Sequence, residues 1–149
     1  MADIPFNISL GKVAYYCGLP AANDALILVP LETSGIVADA TMRDYDTLAA
    51  ILAGSTNEQT TMGRKTITAS VTAVVDDVNN RVDEDFPDQT YTSASGAAIS
   101  AMLVCYDPDT TGGSDSDIIP LSKHDFVATP SGTNIIVEVA ALGFYRDQG

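Results

Sequence analysis

Residues 62–75 read MGRKTITASVTAVV, and this stretch decides the predicted fold. Its side chains alternate between apolar and polar, with Ile67, Ala69, Val71, Ala73 and Val75 on one side and Thr66, Thr68, Ser70 and Thr72 on the other. A period of two is typical of a β-strand that buries one face. We therefore predict a strand from Met62 to Val75 whose apolar side faces a core.

The rest of the chain repeats this short-strand pattern. Apolar runs separated by turn-forming residues predict further strands in the ranges 11–17, 25–31, 97–106, 118–121, 124–128 and 134–145. A helix is predicted over about residues 42–53, because Tyr45, Leu48 and Leu52 have helical spacing, Thr41 can cap the helix and Gly54 can end it. The predicted fold is mainly β, a single β-barrel or β-sandwich with one short helix.

The length of 149 residues corresponds to about one domain, so we predict one β-rich domain over residues 1–149. Residues 1–8 are predicted to form a short N-terminal arm. Ile4, Pro5 and Phe6 place apolar groups ahead of the first strand, and we expect them to bind a neighbouring subunit. The alternative is a frayed terminus.

The charge balance argues against two classes of partner. The chain carries 20 acidic and 7 basic residues, for a net charge of -13, and the basic residues are scattered. Nucleic-acid binding depends on clustered Lys and Arg, so we expect no direct nucleic-acid binding. We expect no membrane partner either, because an anionic surface would repel the chain and the longest apolar run, residues 135–145, is about half of what a bilayer requires.

Cys17 and Cys105 both lie in apolar runs. A thiol in such a setting behaves as a small hydrophobic side chain, so we expect reduced, buried thiols. A disulfide between adjacent strands is the alternative. Neither cysteine has a second metal ligand at zinc-like spacing, so no zinc site is predicted.

Residues 107–117 form a candidate calcium loop. Asp107, Asp109, Thr111 and Asp115 occupy the oxygen-ligand positions of an EF-hand loop, and Gly112 occupies its sixth position. The twelfth position, which needs a bidentate Glu, is Ile118. The other interpretation is a solvated loop of turn-forming residues that holds no cofactor.

A second acidic cluster lies in a predicted loop over residues 76–89. Its acidic members are Asp76, Asp77, Asp83, Glu84, Asp85 and Asp88, and Arg81 is the basic residue among them. Loops of this composition are usually solvated surface. An electrostatic patch facing a partner is the functional alternative.

A small hydrolase is an alternative that stays open, and it would need His124 beside a distant acid or nucleophile. Ser122, His124 and Asp125 are close in sequence, but on an extended strand Asp125 would point away from the other two. No nucleophile-elbow motif of the G-x-S-x-G kind is present. We expect a protein with no enzymatic activity, in which His124 is structural or lies at an interface.

Three runs carry a resemblance to a known class of proteins. They are residues 23–32 (NDALILVPLE), 44–54 (DYDTLAAILAG) and 103–108 (LVCYDP). The chain resembles small virion structural proteins of tailed phages that infect actinobacteria, and it is most similar in kind to a capsid decoration, or cement, protein.

The resemblance implies a role on the virion. Decoration proteins of this class are β-rich and often trimeric, and they bind the outside of the expanded head. It therefore implies a homo-oligomer, in particular a trimer, made in the host cytoplasm and bound to the major capsid protein on the capsid surface, where it bridges capsomers. A head–tail connector or tail-tube component is the alternative, followed by a host-binding or carbohydrate-binding module.

Overall fold

The computed structural model describes residues 2–148, so Met1 of the predicted arm and Gly149 lie outside the described residues. The strands are β1 (Ile4–Pro5), β2 (Ala25–Glu32), β3 (Lys65–Ile67), β4 (Thr72–Asp76), β5 (Arg81–Asp85), β6 (Gln89–Tyr91), β7 (Ile99–Asp107), β8 (Ile119–Ala128), β9 (Ile135–Val137) and β10 (Tyr145–Gln148). The helices are α1 (Val13–Cys17), α2 (Asp39–Met42) and α3 (Leu48–Ala53), with a 3-10 turn at Asn7–Ser9. The prediction of a mainly β fold is confirmed, and the sheets and short helices are consistent with a β-sandwich-like arrangement.

The largest sheet has five antiparallel strands in the order β1-β8-β7-β2-β3. Its central strands are buried on both faces. Leu26 and Leu28 of β2 pack into one core cluster, and Ile27, Val29 and Leu31 pack into another. Successive side chains of a strand point to opposite faces, so this sheet separates two apolar layers.

The predicted helix over residues 42–53 is divided in the structure. Thr41 does not cap it but lies inside α2, and residues 43–47 separate α2 from α3. Thr47 has an extended backbone and accepts a hydrogen bond from the Ala50 N–H at 3.2 Å, so it is the N-cap of α3. Gly54 ends α3, as predicted. Met42, Leu48 and Ile51 cover the second core cluster.

The prediction of a strand at residues 11–17 is wrong, because this range contains α1. Val13 and Cys17 are both buried on α1. Residues four apart share a face of a helix, which lets this short segment bury them together.

The prediction of one strand over residues 62–75 is also wrong. β3 ends at Ile67 and β4 begins at Thr72 in a different sheet. Between them Ser70 has a φ of 58°, in the left-handed region that interrupts an extended strand. The predicted apolar face is therefore not buried along its length: Ile67 is buried, whereas Ala73 and Val75 are exposed.

Smaller sheets account for the remaining strands. β10, β5 and β4 form an antiparallel three-stranded sheet, so the predicted loop over residues 76–89 contains β5. The predicted strand over 134–145 is replaced by β9, which pairs with β6, and by β10. The strands predicted at 118–121 and 124–128 join as β8.

Candidate functional site

The N-terminal segment is built into the chain's own fold. Ile4 pairs with Lys123 and Pro5 with Ser122, while the Phe6 N–H donates to the Leu121 carbonyl at 3.1 Å. The side chains of Ile4 and Phe6 are buried in the second core cluster. The expected free arm is therefore corrected to an edge strand, because its apolar groups are used inside the chain. Partner binding by Ile4, Pro5 and Phe6 stays a prediction.

Docking of β1 brings Asp3 to the two polar residues singled out in β8. Ser122 Oγ and His124 Nε2 are 2.8 Å apart, and His124 Nδ1 lies 3.2 Å from Asp3 Oδ2. The Asp125 N–H donates to Asp3 Oδ1 at 2.8 Å. Partial burial raises the pKa of Asp3, but the hydrogen bonds from Asp125 and His124 outweigh it, so that pKa lies below its usual range.

This hydrogen-bond chain has the connectivity of a Ser-His-Asp triad. Its acidic member is Asp3, and not Asp125, the acidic residue that lies near His124 in the sequence. Asp3 could not be found from sequence, because 121 positions separate it from His124. Ser122, however, is only 2% exposed and lies between β1 and β7. A nucleophile must be reached by its substrate at about 3 Å. The geometry favours a structural role, in which the chain of hydrogen bonds holds β1 against β8.

A cavity of about 270 Å³ adjoins this hydrogen-bond chain. Its polar lining consists of Asp3, His124, Asp125 and Glu138, and the other lining residues are apolar. A cavity of this character suits a small apolar group better than a charged ligand.

On the other side of β8, Lys123 is fully buried and ion-paired. Its Nζ lies 2.8 Å from Asp39 and 3.1 Å from Asp125. Partial burial raises the pKa of Asp39, but the hydrogen bond from Lys123 outweighs it, helped by the Ala2 N–H, so the pKa is lowered. A buried charge is tolerated when it is paired, and this pair attaches the start of α2 to the sheet.

The candidate calcium loop uses its oxygen atoms in local contacts. Asp107 accepts from the Asp109 N–H at 3.1 Å, and Asp109 accepts from the Thr111 hydroxyl at 2.6 Å. Asp115 does not join them but pairs with Arg64 at 2.6 Å. Across residues 2–148, no group of three or more His, Cys, Asp or Glu side chains is arranged to hold a metal ion. Calcium binding by Asp107, Asp109, Thr111 and Asp115 stays a prediction.

Arg64 joins this loop to the segment before β3. Its guanidinium contacts Asp115 at 2.6 Å and Glu58 at 2.6 Å, with a second nitrogen–oxygen contact to each carboxylate. Bidentate contacts of this kind are the stronger form of ion pair. The hydrogen bonds that Arg64 donates to Glu58 and Asp115 raise its pKa above the ordinary value.

Four of the six acidic residues of the second cluster lie in the strands of the β4–β5 hairpin, whereas Asp77 and Asp88 are exposed outside them. Arg81 lies 3.2 Å from Asp76 and 3.0 Å from Asp83, and Arg146 of β10 lies 2.7 Å from the other oxygen of Asp83. Asp76 of β4 and Asp83 of β5 thus pair with basic groups of the same sheet, which stabilises the hairpin.

Glu84 is the member of this cluster that points inward. Its side chain is fully buried, and within residues 2–148 neither carboxylate oxygen has a hydrogen-bond partner. Burial, followed by the nearby charge of Asp147, raises its pKa to about 7. Gly143, with a φ of 89°, packs against the Glu84 carbonyl, where a Cβ atom would collide. Sequence reasoning missed Glu84, because its acidic neighbours made it look like surface.

The β4–β5 hairpin also exposes a group of apolar side chains. Val74 is 57% exposed, Val75 66%, and Val78 at the turn 89%. Among the strands of residues 2–148, β4 pairs with β5 alone and leaves its outer edge without a partner. Val75 was predicted to lie on the buried side of this strand, so its exposure is a tertiary feature.

The cysteines are buried thiols, as expected. Neither Cys17 nor Cys105 forms a disulfide within the described residues. They pack into different core clusters, Cys17 in the first and Cys105 in the second. Burial raises the pKa of Cys17 to about 12 and raises that of Cys105 still further.

Across residues 2–148, none of the helices has the length and apolar character needed to span a bilayer. Comparisons of the chain with family models, with curated proteins and with solved structures gave no match.

Proposed function

We propose that this protein is a non-enzymatic structural component of a phage virion, a decoration or cement protein that binds the outer surface of the capsid and bridges capsomers. Its partners are the major capsid protein and further copies of itself, with the trimer as the form implied by the resemblance. Support comes first from the runs at residues 23–32, 44–54 and 103–108, which resemble such proteins.

The structural observation that carries this proposal is the exposed apolar hairpin in a strongly acidic chain. Val74, Val75 and Val78 are all more than half exposed, whereas the net charge is -13. Val74 and Val75 are successive residues of β4 and project to opposite faces, so the hairpin offers exposed apolar groups for contact on both of its faces. A surplus of acidic groups elsewhere discourages unspecific association. The combination suits a protein that works through contacts at defined sites.

The mechanism we propose is mechanical. Each copy makes a modest contact with the capsid, and engagement of several sites at once raises the overall affinity. Bridging of neighbouring capsomers then opposes outward pressure on the head.

The aromatic side chains give less support to a sugar-binding module. Of the tyrosines that such a module could use, Tyr15 is 64% exposed, whereas Tyr91 and Tyr106 are buried. Sugar-binding surfaces usually need several exposed aromatic rings, since these stack on the sugar faces.

The test is binding to heads of the phage that encodes the chain, prepared without the protein. We expect the purified protein to co-sediment with expanded heads, and cryo-electron microscopy of those heads to show added density at the local three-fold axes. Unexpanded procapsids are the control and should bind less. Absence of density on expanded heads, together with binding to isolated tails or connectors, would contradict the proposal.

A further inference from the structure

We propose that the cavity beside Asp3 and His124 is a binding site for a small uncharged aromatic molecule that carries a hydroxyl group. This site is separate from the proposed capsid contact. Within residues 2–148, the lining of the cavity does not include Val74, Val75 or Val78.

The first support is the size of the cavity and its position in the core. Leu28, Phe86, Met102 and Val104 line it, and all four belong to the first core cluster. Protein cores are close-packed and contain few voids larger than a water molecule. An apolar cavity of about 150 Å³ is sufficient for benzene. The volume of about 270 Å³ therefore admits an aromatic ring with a substituent.

The lining favours an aromatic body for the ligand. Three of the four phenylalanines of the chain line this cavity, namely Phe86, Phe126 and Phe144. The ring centroids of Phe86 and Phe144 are 5.0 Å apart, and the two ring planes are inclined by 42°. Aromatic rings attract one another in tilted arrangements with centroids about 4.5–7 Å apart. A third ring that enters the cavity can make contacts of the same kind.

The mouth of the cavity favours a polar group that donates a hydrogen bond. Met102 and Val104 are buried, whereas Asp125 and Glu138 are exposed and the Asp3 side chain is 63% exposed. The apolar end is therefore inside and the carboxylates are at the solvent side. Ionised carboxylates only accept hydrogen bonds, so a ligand hydroxyl can donate to them and an anionic group is repelled.

The carboxylates at the mouth favour an uncharged donor over a cation, because two of them already have cationic or ionisable neighbours. Asp125 lies 3.1 Å from the Lys123 ammonium, and Asp3 lies 3.2 Å from His124. Transfer of an ammonium group out of water costs more free energy than transfer of a hydroxyl. A hydroxyl group therefore makes the hydrogen bond at the lower cost.

The experiment is an NMR titration of the full chain, isotope-labelled at the methionine methyl groups, with benzyl alcohol as the probe. Met102 lines the cavity, whereas Met42 is buried in the second core cluster. We expect a saturable shift of the Met102 signal, which Met102→Leu assigns, and no shift of the Met42 signal. An unchanged Met102 signal, or equal shifts of both signals, would overturn the proposal.

Three further probes test the class of ligand. Benzyl methyl ether keeps the ring and the oxygen but has no donor, so it should bind about tenfold more weakly than benzyl alcohol. Benzoate should also bind more weakly, because its charge faces the carboxylates at the mouth. Benzylamine should do so because its ammonium group must leave water. If any of the three binds as tightly as benzyl alcohol, the assigned class is wrong.

A pair of variants tests the location of the site. Ala140 lines the cavity, whereas its neighbour Ala141 is exposed and lies outside the lining. Ala140→Phe should weaken the binding of benzyl alcohol by about tenfold or more, because the added ring occupies the space of the ligand. Ala141→Phe is the control and should keep the wild-type affinity. An unchanged affinity of Ala140→Phe, or an equal loss in both variants, contradicts the assignment, and the Met42 signal shows that each variant is folded.

Head binding, measured with and without benzyl alcohol, separates this site from the capsid role. We expect the same binding to expanded heads in both cases. Loss of head binding at saturating benzyl alcohol would mean that the cavity receives a side chain of the capsid, and the small-molecule site would then be rejected while the capsid role stands.

Discussion

Glu84 is the residue whose burial has the clearest energetic consequence. Its carboxylate lies inside the fold without a hydrogen-bond partner among residues 2–148, and its pKa rises from 4.5 to about 7. The folded state therefore holds a proton on Glu84 at pH values where the unfolded chain has released it. This contribution to stability is complete below pH 4.5 and is lost as the pH rises through about 7.

Glu84→Gln should remove this pH dependence, because the amide stays neutral at every pH. We expect the free energy of unfolding of the variant to rise relative to the wild type between pH 4.5 and 7, by up to about 3 kcal/mol at the upper end. Urea unfolding of both proteins at several pH values across this window measures the difference.

Glu138→Gln is the control for this measurement, because Glu138 is exposed. It should follow the wild-type curve. Parallel curves for Glu84→Gln and the wild type would show that Glu84 is ionised in the folded protein, against the expectation.

At the scale of single elements, helix α3 shows how a short segment is held in place. Isolated helices shorter than about 12 residues are marginal in water, and α3 has six residues. Its cap at Thr47 and the hydrogen bond from the Leu48 N–H to the Ile118 carbonyl at 3.0 Å connect it to the chain around it. Leu48 and Ile51 then bury its apolar face.

Thr47→Ala should lower the free energy of unfolding by about 1 kcal/mol, because the Ala50 N–H loses its acceptor. Thr47→Ser should retain most of the stability, since Ser offers the same oxygen. Thermal unfolding monitored by circular dichroism would measure both.

Thr41→Ala discriminates between the two capping residues considered for this region. Thr41 is exposed inside α2, so its replacement should change the stability by less than about 0.5 kcal/mol. A larger loss for Thr41→Ala than for Thr47→Ala would contradict the capping assignment.

At the scale of the whole molecule, β1 connects the N-terminal segment to β8, more than a hundred positions along the chain. Phe6 is fully buried beyond β1 and packs in the same cluster as Leu103 of β7. Segments from the beginning of the chain and from beyond residue 100 thus contribute to the same core cluster.

Phe6→Ala should lower the free energy of unfolding by about 3–5 kcal/mol, because it leaves a cavity in the second core cluster. Chemical denaturation of the purified protein measures this loss. Leu10→Ala is the control, since Leu10 is 51% exposed, and it should have a small effect. Unchanged stability of Phe6→Ala, together with loss of oligomers, would instead favour the predicted partner-binding arm.

Several elements could be predicted from the sequence because their patterns are local. β2 and β7 are mainly apolar runs, which are typical of strands buried on both faces. Gly54 ends α3, as expected of glycine, which is common at the C-terminal ends of helices. The burial of both cysteines followed from the same runs. Alternation at residues 62–75 also indicated β-structure, although it could not show that the chain changes sheets at Ser70.

The sequence by itself determined the mainly β class, the acidic surface and the absence of a recognisable catalytic motif, because these depend on composition and short-range periodicity. Only the tertiary structure decided that Asp3 meets His124, that Glu84 is buried and that Val75 of β4 remains exposed. The physical reason is that burial and pairing depend on which distant segments pack together. The same alternation of apolar and polar residues is compatible with a strand whose apolar face is buried and with an edge strand whose apolar face is exposed. The packing of the whole chain determines which of the two forms.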